Sequence, residues 1–129
     1  MQAKAIVEQA LRLTAHVNAA GAVEPGRESR YYGLAPAILT ILLTELAQVT
    51  GADAPQPLRS LTQELPVDDG TAQRVLPAGL AMYFALTDRD ADQYNHFSQL
   101  YYDRLLPSAR PDSFPLTDVY GAAGDPTMQ

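Results

Sequence analysis

The sequence predicts an all-α fold: a small bundle of about four helices, two of them proline-kinked, followed by an extended C-terminal arm. Three observations lead there. Four stretches carry apolar residues at three- and four-residue spacing, the period of a helix with one buried face. Clusters of proline and glycine separate these stretches. The chain has 129 residues, 47% hydrophobic and 19% charged, which is the size of one domain and enough apolar material for a core. The expected division is a helical domain over residues 1–106 and an extended or flexible arm over 107–129.

In the first stretch Ala3, Ile6, Ala10, Leu13 and Val17 form a stripe that Val7 and Leu11 widen, while Lys4, Glu8 and Arg12 lie off it. Asn18, Gly21, Pro25 and Gly26 then break the pattern. A second helix is expected from about Glu28 to Thr50, with Tyr31, Ala35, Ile38, Leu42, Leu46 and Val49 on one face and Gly51 as its stop. Pro36 lies inside it, has no N–H and pushes against the carbonyl of Tyr32, so a kink is expected there. Residues 52–69 carry Pro55, Pro57 and Pro66 and read as a connecting loop, in which Ser60 and Gln63 match a small capping box.

Asp68 and Asp69 precede a third helix that places Ala72, Val75, Leu76, Gly79, Leu80, Tyr83 and Phe84 on a broad face, with Pro77 inside it. The last helix is expected from about Arg89 to Leu106, burying Ala91, Tyr94, Phe97, Tyr101 and Leu105. In the arm beyond, Phe114, Leu116, Val119 and Tyr120 bring four large apolar residues into seven positions. That density suits an arm packing on a neighbouring subunit, and a loose, solvated tail is the equal alternative.

Composition excludes several classes of function. The chain has no cysteine, which removes disulfides, cysteine-ligated metals and thiol nucleophiles. Nine basic residues against fifteen acidic ones give a net charge of −6, the wrong sign for gripping a phosphate backbone. The imbalance is uneven: residues 1–50 hold four basic and four acidic groups, whereas residues 51–129 hold five basic and eleven acidic. The apolar run Leu34–Leu43 is about half the roughly 20 residues of a membrane span and contains Pro36, so no membrane partner is expected.

Chemistry-bearing constellations are sparse. His16 and His96 fall on different helices and form no imidazole pair, so no metal site is expected. Asp88, Asp90 and Asp92 imitate the start of an EF-hand loop, but Gln93 stands where glycine is required and Gln99 where a bidentate glutamate is required. The run reads instead as helix-start carboxylates. No nucleophile elbow, dinucleotide fingerprint, Walker loop or zinc-protease motif occurs, and no cofactor, small-molecule substrate or enzymatic activity is expected. Arg27, Arg30, Tyr31 and Tyr32 form a basic and aromatic cluster suited to packing at a helix start or to contact with a partner.

One resemblance gives these features a function. Leu61 to Asp69, the run Ala72 to Leu86 with Pro77 and its small residues, the acidic turn Asp88 to Asp92, and the tyrosine-rich Tyr94 to Leu105 together resemble the head-to-tail connector (adaptor) proteins of tailed bacteriophages, over roughly residues 58–106. The resemblance implies a non-enzymatic component of a virion or prophage that forms a ring between portal and tail, around a channel through which DNA passes without being gripped. It implies self and portal or tail proteins as partners, and location in the virion, or in the host cytoplasm before assembly. Arg27, Arg30, Tyr31, Tyr32, Phe114, Leu116, Val119 and Tyr120 are the expected contact residues on the strength of this sequence alone. The alternative is a small helical regulatory or adaptor module that binds a partner protein through apolar helix faces.

Overall fold

The computed structural model describes residues 1–14 and 29–108. Within them the chain forms four helices: α1 (Ala3–Leu13), α2 (Ser29–Thr50), α3 (Asp69–Thr87) and α4 (Ala91–Leu105), with a short 3-10 turn at Leu106–Ser108. No strand occurs among the described residues; an isolated bridge joins Gln2 to Glu64. The all-α bundle is therefore the fold. Arg27 and the segment carrying Phe114, Leu116, Val119 and Tyr120 lie outside the described residues, as does the expected arm beyond Ser108.

Helix α3 is the centre, packed against each of the other three helices. Eleven of its nineteen residues are buried, including Ala78, Ala81, Met82 and Ala85, which lie off the face expected from the sequence. A helix surrounded by neighbours has no solvent face to keep polar, and its alanines and Gly79 let those neighbours approach closely. A Cβ on Gly79 would stand 2.7 Å from Leu42 Cδ2 and 3.0 Å from Tyr101 Cδ1, so α2 and α4 converge on this one backbone position. Pro36 and Pro77 both lie inside continuous helices.

Local chemistry sets the helix ends. Asp68 caps α3 by accepting the Thr71 N–H at 2.9 Å, as the sequence predicts. That bond holds the Asp68 carboxyl below its usual range. Helix α2 ends at Gly51 (φ 77°), which brings the Ala52 N–H onto the Ala47 carbonyl at 2.9 Å. The same closure ends α3, where the Asp90 N–H reaches the Ala85 carbonyl, but the left-handed position is held by Arg89 (φ 57°). Asp90 then caps α4 by accepting the Gln93 N–H at 3.1 Å. One residue thus closes α3 and opens α4, which makes the α3–α4 connection tight. The expected start of the last helix at Arg89 moves to Ala91 for this reason.

Helix α1 has no side-chain cap. Its first N–H groups find carbonyls of the loop instead: Ala3 donates to Gln63 at 3.1 Å and Lys4 to Leu61 at 2.9 Å, while the Leu65 N–H returns to Met1 at 3.0 Å. The Met1 ammonium donates to Glu64 at 2.6 Å and to Asp69 at 3.0 Å, which raises its affinity for the proton. In the loop itself Gln63 Oε1 accepts the Ser60 N–H at 2.8 Å, half of the expected capping box.

Among the described residues two expected core residues are exposed; Val17 lies outside the described residues. Leu13 is 46% exposed, because the buried face of α1 continues through Thr14, whose hydroxyl donates back to Leu11 at 3.1 Å. Ala91 stands in the first turn of α4, ahead of the point where Phe97, Tyr101 and Leu105 reach the core.

Candidate functional site

Helix α2 carries the surface that the fold leaves unexplained. Eight of its residues are buried, from Tyr31 to Ala47, yet Leu34 is 37% and Ile41 46% exposed, and Gly33 and Ala37 are exposed too. Leu34 and Ile41 are seven residues apart, so they share a side of the helix, and Ala37 falls between them. No charged residue stands between Arg30 and Glu45. An 18-residue window of α2 reaches a mean hydropathy of 1.5, with 39% of the window buried. A helix apolar on all sides is normally covered on all sides.

By length and composition α2 is long enough to cross a bilayer. Its ends are nevertheless tied to the bundle by polar contacts. At the N-terminal end Tyr31 is 4% exposed, its ring 4.8 Å from that of Phe84, and its hydroxyl donates to Asp88 Oδ2 at 2.5 Å. Arg30 donates to the Tyr31 hydroxyl at 3.0 Å, pairs with Asp88 Oδ1, and sets its guanidinium 4.9 Å from the centre of the Tyr31 ring. Burial, followed by the bond to Asp88, pushes the Tyr31 phenol above its ordinary range.

Toward the other end, the half-buried Glu45 accepts the Tyr101 hydroxyl at 2.9 Å. Tyr101 is fully buried, and its phenol is pushed far up by burial and then by the Glu45 bond. Tyr83 and Tyr102 are raised in the same order of causes, burial first and the Glu45 charge second. Tyr102 is 43% exposed and stacks edge-on to Tyr101 with ring centres 4.9 Å apart. The uncovered side of α2 therefore ends at a carboxylate bordered by tyrosines, a composition typical of protein contact surfaces.

The expected cluster around residues 27–32 is divided by this arrangement. Tyr31 is a core residue whose hydroxyl serves an internal tie, Arg30 is exposed at the end of the uncovered face, and Tyr32 is half-buried against the core. No local pattern signals that Asp88 completes the tie, because 57 residues separate it from Tyr31. The role of Asp88 explains part of the acidic run: Asp88 serves α2 and Asp90 caps α4. Among the described residues no group of three or more acidic or imidazole side chains is placed to hold a metal.

Among the described residues, the fold and this surface define a small helical bundle with one helix incompletely covered. Comparison of the chain with protein-family models, curated proteins and solved structures finds no match.

Proposed function

We propose that this chain is a non-enzymatic assembly protein of a phage or prophage head-tail junction, forming a ring on the portal around the DNA channel. The observation that carries the reading is the uncovered apolar side of α2. In a ring, the neighbouring copy covers Leu34, Ala37 and Ile41, with Arg30 and the Glu45–Tyr102 border at the two ends of the contact. A head-to-tail contact of this kind joins two different surfaces and forms a ring of fixed copy number when the rotation between copies closes. The segment with Phe114, Leu116, Val119 and Tyr120 supplies the second contact in this reading.

The resemblance over residues 58–106 supports the assignment to the junction, and so does the charge. The excess of six acidic groups belongs to residues 51–129, and an acidic wall repels a passing phosphate backbone. The protein then resides in the virion, or in the host cytoplasm before assembly. Electron microscopy of the chain mixed with the portal ring encoded beside it tests the proposal. A layer of this protein with cyclic symmetry on the portal is the expected image; absence of any portal binding would overturn the reading in favour of an adaptor that pairs with a single partner.

A further inference from the structure

On the side of α2 opposite Leu34 and Ile41, the helix and the segment after it enclose a cleft of about 380 Å³. Leu43, Leu46 and Ala47 of α2 form one wall, and Pro55 and Val67 form the other. The volume lies at the low end of the roughly 300–1,000 Å³ of ligand pockets, room for one large apolar side chain and its neighbour. The polar groups at the mouth differ in what they have left to offer. Thr50 donates its hydroxyl to the Leu46 carbonyl at 2.9 Å, within its own helix. Asp53 and Asp68 also border the cleft; both are exposed, and the Thr71 N–H keeps Asp68 ionised.

No basic residue is among the described residues lining the cleft, and residues 51–70 hold four acidic groups and one basic one. From this apolar slot with an acidic rim we infer that the cleft receives a segment of a partner protein that carries a leucine-class side chain next to an arginine or lysine. The apolar side chain enters between Leu46 and Val67, and the cation meets Asp53 and Asp68. Electrostatic complementarity of this kind sets which partner is admitted more than how tightly it is held. The inference does not depend on the ring, since it uses the other side of α2.

The test is a heteronuclear NMR titration of the full chain with the acetylated, amidated peptide RLLRALLR, and with ELLEALLE as its acidic counterpart. The basic peptide should shift the amides of Ala47, Ala52, Val67 and Thr71 saturably, and the acidic one should not. The double variant Asp53→Asn/Asp68→Asn removes both charges while asparagine still caps α3. It should bind about fivefold more weakly or worse. The titration of the unaltered chain should also weaken between about 0.05 and about 0.5 M NaCl, which reads the charge without any variant. Shifts confined to other residues, equal binding of the two peptides, no binding, or indifference to both charge removal and salt would each overturn the inference.

Discussion

Tyr31 and Tyr101 show how much of this molecule rests on single hydroxyls. Tyr31 joins the start of α2 to the end of α3 through Asp88, and Tyr101 joins α4 to α2 through Glu45. Tyr31→Phe keeps the ring on Phe84 and removes the hydroxyl, so urea unfolding should report a loss of about 1 kcal/mol. Tyr101→Phe leaves a half-buried carboxylate without its donor and should cost about 1–3 kcal/mol. The sign of the pH dependence follows from the protonation states. The folded phenol of Tyr101 is raised above its unfolded value near 10, so the folded state holds a proton that the unfolded chain releases first. Its contribution is complete below pH 10 and declines above it, by up to about 1.4 kcal/mol per pH unit. Unfolding curves from pH 8 to 11 should show this decline, with a shallower slope for Tyr101→Phe. Neither tie could be read from the sequence, because its partners lie 56 or 57 residues apart and no local pattern links them. The Asp68 cap could be read, because its partner Thr71 lies within the same turn.

At the scale of elements, helix periodicity places all four helices within a few residues, since 3.6-residue spacing is a local property of the chain. What it misses is set by neighbours. The burial of α3 on nearly all sides, the capping of α1 by loop carbonyls and the Arg89 closure of α3 depend on tertiary contacts. Two of these positions carry opposite predictions. Gly79→Ala gains helix propensity of about 1 kcal/mol but thrusts a methyl at Leu42 and the Tyr101 ring, and overpacking costs about 1–3 kcal/mol. Thermal unfolding should therefore show a net loss of stability; a gain would mean that α2 and α4 are free to part. Arg89→Gly relieves a left-handed residue that costs roughly 1–2 kcal/mol, offset by the glycine's unfolded freedom, and should raise the melting temperature.

At the scale of the whole molecule, the departure from an ordinary small bundle is α2. Its sequence reads as a core helix, apolar around most of its circumference, and the bundle covers one side of it. Periodicity leaves Leu34 and Ile41 off the buried face of α2, and both are exposed; what it does not give is a reason for apolar residues on that side, because periodicity marks which residues can be buried and not which neighbours are present to bury them. In the proposed ring a neighbouring copy supplies the missing cover, and this face drives the assembly. Native mass spectrometry of the intact chain and of Ile41→Glu, at equal concentration and with helix content matched by circular dichroism, measures that claim directly. A closed oligomer of fixed stoichiometry is expected for the unaltered chain and a folded monomer for Ile41→Glu. The same oligomer from both proteins, or a monomer from the unaltered chain at every concentration, would contradict that claim.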